Sequence, residues 1–187
     1  MELKNSIIQV KNSLIKIKYD NLHQISSGIE EDLLKKNRVD ILKRGQKLFN
    51  EFYQLGIEAR KENLENFKDV QVSELKTLIK EVVQLIVDDK DWILAFICCY
   101  LDFSLEFSEF ESVGKDVLEI RSGYQFIFDL FKECDDIEPA LKTLNDEIRN
   151  DFDKKLKCSK ECETLVIDKN DIPNNIPKSH SWWFLNQ

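Results

Sequence analysis

Glycine and proline are scarce in this sequence, with five and three residues among 187. All-β domains use both residue types heavily in their turns, so this scarcity favours long helices joined by few loops. A chain of 187 residues can bury one sizeable core. Hydrophobic residues make up 42% of it, which excludes an intrinsically disordered composition. We therefore predict a single, mainly α-helical domain spanning residues 1–187.

The sequence motifs of several enzyme classes are also missing. Only two histidines occur, His23 and His180, and there is no HExxH pair for a zinc hydrolase. Neither phosphate-binding glycine loop, GxxxxGK[ST] or GxGxxG, is present, and neither is the GxSxG nucleophile turn of α/β-hydrolases. We predict a protein without enzymatic activity, catalytic residues or cofactor.

The cysteines give only half of a possible metal site. Cys158 and Cys162 are separated by three residues, whereas a structural zinc ion requires four ligands. The number of cysteines is odd at five, and two of them, Cys98 and Cys99, are adjacent within an apolar run. We interpret them as reduced thiols and predict no bound metal.

Long apolar segments are absent as well. The longest apolar run, Trp92–Leu101, has ten residues, which is about half of a membrane span. The first ten residues contain no apolar stretch typical of a secretory signal. We therefore expect a cytoplasmic protein that does not bind membranes.

The hydrophobic periodicity predicts an irregular bundle of about six helices over residues 1–157. The predicted helices span residues 3–22, 27–55, 73–88, 91–110, 113–131 and 137–156, with Ser27 and Ser73 as N-caps. The first is ambiguous, because Ile15, Ile17 and Tyr19 alternate as in a strand. Residues 158–187 are predicted to be a short extended segment, rich in aromatic residues at its end, that packs on the bundle.

Negative charge is concentrated in the second half of the chain. Residues 1–90 carry 16 Lys and Arg against 15 Asp and Glu, whereas residues 91–187 carry 11 against 20. A net charge of −9 in the second half repels nucleic acid and attracts basic proteins. We therefore predict a basic protein partner and no nucleic-acid binding.

The predicted helix near residues 102–110 offers a surface for such a partner. Carboxylates form one stripe on it, and phenylalanines form a neighbouring stripe that could supply apolar anchors. An ordinary amphipathic helix, with phenylalanine inside and carboxylates outside, gives the same pattern. The candidate partner-binding residues are Asp102, Glu106, Glu109, Glu111, Asp116, Glu119, Phe103, Phe107 and Phe110, with Asp129 and Glu133 behind them.

Three large aromatic residues, Trp182, Trp183 and Phe184, are consecutive near the C-terminal end of the sequence. Because each buries a large apolar area when packed, they either fold back onto the helices or dock on a partner, and we predict that they fold back. The string Ile172–Phe184, with its Ile-Pro pairs, Ser179-His180 and consecutive tryptophans, resembles the end of immunity proteins of contact-dependent growth inhibition. The resemblance covers 13 of 187 residues, and Ser181 interrupts the aromatic run of that pattern.

The resemblance implies a bacterial immunity protein, a mostly helical inhibitor that neutralises a ribonuclease toxin. Together with the acidic second half, it predicts a protein that binds and blocks a basic toxin domain as a monomer or weak homodimer. One alternative is a helical Mg²⁺-dependent nucleotide hydrolase, with Glu58, Glu62 and Glu65 on one helix face. The other is a helical adaptor or regulator without enzymatic activity.

Overall fold

The computed structural model describes residues 2–19, 31–88, 115–131, 152–161 and 167–184, together with positions 139, 142, 145, 146 and 150. The α-helices in these parts are α1 (Glu2–Tyr19), α2 (Glu31–Lys61), α3 (Ser73–Asp88), α4 (Lys115–Phe131) and α5 (Phe152–Glu161). Short 3-10 helices span Phe67–Asp69, Lys169–Asp171 and Ser181–Phe184. Of the described residues 83% are helical and none lies in a strand, which confirms the mainly α prediction.

Several helix ends differ from the predicted ones. Helix α2 continues to Lys61 instead of ending near residue 55, and α5 continues to Glu161, so the predicted division at 157/158 falls inside a helix. Ser73 is the first residue of α3 rather than its cap. The predicted helix 91–110 and the predicted cap Ser27 lie outside the described residues. No helix in the described parts is both long and apolar enough to cross a membrane.

Helices α1 and α3 run parallel and are connected by two ion pairs that are one heptad apart. Lys4 pairs with Glu74, and seven residues later Lys11 pairs with Glu81 at 2.8 Å. The buried face of α1 follows the alternating four- and three-residue spacing of a coiled-coil seam. This spacing settles the helix-or-strand ambiguity of the sequence in favour of a helix. The seam consists of Leu3, Ile7, Val10, Leu14 and Ile17.

Helices α2 and α4 approach each other closely at two glycines. A β-carbon on Gly123 of α4 would lie 2.3 Å from the carbonyl oxygen of Phe49 on α2. One on Gly56 of α2 would lie 2.0 Å from the ring of Phe126 on α4. Because glycine has no side chain, α4 can pack closely against α2 at these positions. Of its 17 residues, 11 are buried.

The C-terminus of α2 is closed by a Schellman motif. Leu64 N donates to the Ala59 carbonyl at 2.9 Å, and Asn63 N donates to the Arg60 carbonyl at 3.0 Å. Asn63 has a φ of 58°, the left-handed conformation that this motif requires and that asparagine tolerates. The chain then turns so that Phe67 reaches the core, with its ring 5.0 Å from that of Phe131 on α4.

Gly123→Ala should destabilise the fold by about 1–3 kcal/mol, the usual range for overpacking, because the added methyl group meets backbone that cannot rotate away. At an open helical site the same change would stabilise the helix by up to about 1 kcal/mol. The sign of the change in unfolding free energy, measured by urea denaturation, is therefore decisive. Gln46→Ala, at an exposed position of α2, is the control. A stabilised Gly123→Ala variant would contradict the close approach of the two helices.

Candidate functional site

The segment 167–184 returns to the helices and buries its aromatic end against α4. Trp182, Trp183 and His180 are all buried, and Phe184 is partly buried. The prediction that the tryptophans fold back onto the helices is therefore confirmed. His180, Trp182 and Trp183 all contact Ser122, a fully buried serine near the middle of α4. We call Ser122, His180, Trp182 and Trp183 the Ser122 cluster.

The hydroxyl of Ser122 uses its complete hydrogen-bonding capacity. Trp182 Nε1 donates to Ser122 Oγ at 3.0 Å and Trp183 Nε1 donates to it at 2.8 Å. An indole N–H can only donate, so these two bonds occupy both lone pairs of the oxygen. The single hydroxyl proton is then left for His180 Nδ1, which lies 3.1 Å away. His180 Nδ1 must therefore be an acceptor, and the neutral ring carries its proton on Nε2.

Ser122, His180 and Asp129 are the residue types of a serine-hydrolase triad, but their arrangement does not suit nucleophilic catalysis. In a triad the histidine takes the serine proton and an acidic residue holds the opposite ring nitrogen. Here His180 Nε2 is 3.9 Å from Asp129 Oδ2, beyond hydrogen-bonding distance. Ser122 Oγ is fully buried and has no lone pair left for attack. The arrangement therefore serves to fix the segment 167–184 to α4.

A buried arginine next to the Ser122 cluster holds Trp182 from one side. Arg121 is 1% exposed and binds Asp153 of α5 through two parallel bonds, Nε–Oδ1 at 2.7 Å and Nη2–Oδ2 at 3.0 Å. Its guanidinium carbon lies 4.0 Å from the centre of the Trp182 ring, and the His180 ring stacks on that indole at 4.8 Å. Bidentate pairing and cation–π contact together compensate for removing this charge from water.

Arg121 also begins a polar ladder along one face of α4. Arg121 Nη1 donates to Gln125 Oε1 at 3.2 Å, and Gln125 Nε2 donates to Asp129 Oδ1 at 3.0 Å. The three residues are spaced four apart, which places them above one another on a helix. The ladder fixes the position of the Asp129 carboxylate at the end of α4.

Burial lowers the pKa of His180, and the nearby Asp129 carboxylate only partly opposes this effect. Arg121 and Arg60 lower the pKa further through their positive charge. The direction agrees with the hydrogen-bond geometry, because a second ring proton on Nδ1 would face a hydroxyl whose lone pairs are already occupied. His180 is therefore held neutral.

Asp129 faces a cleft of about 250 Å³ between α2 and α4. Glu65 also lines this cleft and pairs with Arg60 at 3.3 Å. The charged side chains of the lining are therefore two carboxylates and one guanidinium, which together carry one net negative charge. A surface of this kind suits one cationic group better than an anion. We call it the acidic cleft; its lining is Gly56, Arg60, Leu64, Glu65, Phe126, Asp129, Leu130 and Ser179.

Only two of the predicted partner-binding residues lie in the described parts of the chain. Asp116 is exposed in the first turn of α4. Glu119 is partly buried, and desolvation raises its pKa although Lys115 lies 3.9 Å away. Asp129, predicted to lie behind them, lines the acidic cleft. The remaining candidates, Asp102, Phe103, Glu106, Phe107, Glu109, Phe110, Glu111 and Glu133, lie outside the described residues.

The predicted carboxylate face of Glu58, Glu62 and Glu65 does not exist as a helical stripe. Helix α2 ends at Lys61, so Glu62 and Glu65 lie beyond the helix. Glu58 binds Lys61 at 2.6 Å, and Glu65 turns towards Arg60. Within the described ranges, no three His, Cys, Asp or Glu side chains are grouped to hold a metal ion. Cys158 is an exposed thiol, and Cys162 is outside those ranges.

The residues predicted from the sequence do not include Ser122 or Arg121, although one signal for them is present. Arg121 and Ser122 follow Val117 and Leu118 by four residues each, so helical periodicity places these two polar residues on the buried face of Lys115–Phe131. A polar side chain on a buried face requires a partner. The identity of that partner could not be inferred, because His180 is 58 residues further along the chain.

Ser122→Ala should lower the free energy of unfolding by about 2–5 kcal/mol, because it leaves two indole N–H groups and one imidazole nitrogen buried without a partner. Ser181→Ala removes a hydroxyl from an exposed position of the same segment and should change little. Urea denaturation followed by tryptophan fluorescence measures both variants. Equal stabilities would show that the hydrogen bonds of Ser122 do not hold the segment.

The neutral state of His180 predicts a loss of stability on acidification. In the unfolded chain its pKa is near 6.5, and folding lowers that pKa, so below about pH 6.5 the unfolded state binds a proton that the folded state resists. The stability is therefore present above pH 6.5 and is lost as the pH falls below it. His180→Asn, which keeps an acceptor near the Nδ1 position, should weaken this dependence in urea titrations between about pH 5 and 8. Identical slopes for wild type and variant would exclude His180 as the cause.

Comparisons of the chain with protein-family models, curated proteins and solved structures give no match. The described residues themselves provide two features that bear on function. One is the hydrogen-bonded connection between the segment 167–184 and α4 through the Ser122 cluster. The other is the acidic cleft beside it, in which Asp129 is held by the ladder on α4.

Proposed function

We propose that this protein is an immunity-type inhibitor that binds and blocks a basic toxin domain, a ribonuclease, without itself catalysing a reaction. The observation that carries the proposal is the net charge of −9 over residues 91–187. Ribonuclease clefts are basic because they bind phosphate, and carboxylates of an inhibitor can occupy the positions of substrate phosphates. The affinity and the fast association of such a complex come from complementary charge.

Described cations of both halves pair with carboxylates, but the second half also carries exposed carboxylates that no described cation neutralises. In the first half, Lys4, Lys11 and Lys61 each pair with a carboxylate of the same half. In the second half, Asp116 and Asp146 are exposed, and within the described parts of the chain no cation pairs with either. Asp116 and Asp146 are thus open to a partner, whereas Glu119 and Asp153 of the same half pair with Lys115 and Arg121.

The polar ladder on α4 supports the proposal by ordering one carboxylate of the acidic cleft. The ladder from Arg121 through Gln125 holds the Asp129 carboxylate before any partner arrives. A carboxylate ordered in advance loses little conformational entropy on binding. A cationic side chain from the partner could enter the acidic cleft and pair with Asp129.

The hydrolase alternative has lost the carboxylate array on which it depended, since α2 ends before Glu62. The adaptor alternative differs from the inhibitor in the kind of partner it binds and in the effect of binding on that partner. An inhibitor forms a stoichiometric complex with a basic protein and abolishes its toxicity, whereas an adaptor has no toxic partner.

The direct test is capture of a partner by the tagged full-length protein at low salt, starting with the product of the adjacent upstream gene. We expect one basic protein in stoichiometric amount, with nuclease activity that disappears when the complex forms. Cells expressing that nuclease should survive only when this protein is co-expressed. A captured partner that retains its nuclease activity in the complex would refute inhibition.

Reversing the charge of Asp116 should slow association with the basic partner. Asp116→Lys should reduce the association rate about tenfold at low salt and much less at high salt, because salt screens exposed charges. The double change Glu106→Lys and Glu109→Lys should act in the same way if that predicted stripe faces the partner. Stopped-flow fluorescence or surface plasmon resonance measures the rates.

Asp69→Lys is the matched control, because Asp69 is also an exposed acidic residue in the first turn of a helix but belongs to the first half. It should leave the association rate nearly unchanged. Equal slowing by the changes at Asp69 and Asp116 would indicate an effect of total charge, and would remove the N-terminus of α4 from the interface.

A further inference from the structure

A second surface, of opposite charge, lies between α3 and the 3-10 helix Phe67–Asp69. It is a groove of about 440 Å³ with an apolar floor and exposed lysines on both of its walls. Its described lining contains no carboxylate. We call it the basic groove; its lining is Asn66, Phe67, Lys68, Lys76, Ile79, Lys80, Val83, Gln84 and Leu130.

The arrangement of residues on α3 separates this groove from the contact with α1. Glu74 and Glu81 face α1, where they pair with Lys4 and Lys11. Lys76 and Lys80, four residues apart, line the groove instead, and no carboxylate of the described residues pairs with either of them. Their positive charge is therefore open to a ligand.

The floor of the groove follows the same helical spacing. Ile79 and Val83 of α3 are four residues apart, and Phe67 and Leu130 complete the apolar lining from the opposite side. Parallel apolar and basic rows at one-turn intervals match an amphipathic helix, which presents side chains at the same interval. A small carboxylic acid could satisfy only one lysine, whereas a helix with repeated carboxylates could pair with both Lys76 and Lys80.

We propose that the basic groove binds an acidic amphipathic helix of a protein partner, with apolar side chains on the floor and carboxylates at Lys76 and Lys80. This partner differs from the basic toxin, because the groove would repel a cationic surface. The inference does not rest on the inhibitor proposal. The acidic cleft and the basic groove share only Leu130, so the two partners use surfaces of opposite charge on adjoining sides of the molecule.

The test uses two fluorescein-labelled synthetic helical peptides with leucines at identical one-turn spacing, one carrying glutamate and the other lysine at the remaining polar positions. Fluorescence anisotropy with the full-length protein should show binding of the glutamate peptide and none of the lysine peptide. Lys76→Glu with Lys80→Glu should weaken binding by about tenfold or more. Val83→Asp should also weaken it, because it places a charge on the apolar floor.

Lys16→Glu with Lys43→Glu is the matched control, since it changes two exposed lysines outside the groove and alters the net charge equally. Circular dichroism of each variant establishes that it is folded. Equal weakening by both double variants, or no binding of the glutamate peptide, would overturn the proposal. Self-association abolished by the Lys76 and Lys80 changes, without peptide binding, would instead identify a second copy of this chain as the occupant.

Discussion

The hydroxyl group of Ser122 is the point on which the packing of the segment 167–184 depends. It accepts hydrogen bonds from two indoles and donates one to His180, so that three side chains of one segment converge on a single atom of α4. On the neighbouring residue, Gly123, α4 meets the backbone of α2 with no side chain between them. Helix α4 is thus fixed at adjacent positions, by close backbone packing to one helix and by hydrogen bonds to the segment.

Burying Arg121 beside this cluster has an energetic consequence for the whole region. A guanidinium that is 1% exposed must have its charge compensated, and removal of one partner from such a pair commonly costs about 3–5 kcal/mol. Asp153 of α5 supplies two bonds and Trp182 supplies a ring face. The same arginine begins the ladder that orders Asp129. The packing of Trp182 and the position of a carboxylate in the acidic cleft are therefore linked through one side chain.

Local sequence patterns specify several helices of this fold, whereas other features depend on contacts between distant residues. The helices α1, α3 and α4 could be predicted because each carries an apolar periodicity that is complete within itself. The end of α2 could not, since it depends on Asn63 adopting a left-handed conformation, and the predicted stripe of Glu58, Glu62 and Glu65 required a helix on both sides of Asn63. The Ser122 cluster joins residues 58 to 61 positions apart, and no local pattern encodes such a pairing.

The resemblance of the string Ile172–Phe184 to immunity proteins has a physical interpretation in this structure. His180, Trp182 and Trp183 are the residues that converge on Ser122, whereas Ser181, which departs from the family's aromatic run, is exposed. The departure therefore falls where it does not disturb the cluster. A motif that holds a segment to a helix has a structural role and need not contact a toxin. In the proposed complex, recognition of the basic partner is then assigned to the exposed carboxylates of the second half, which have the required charge.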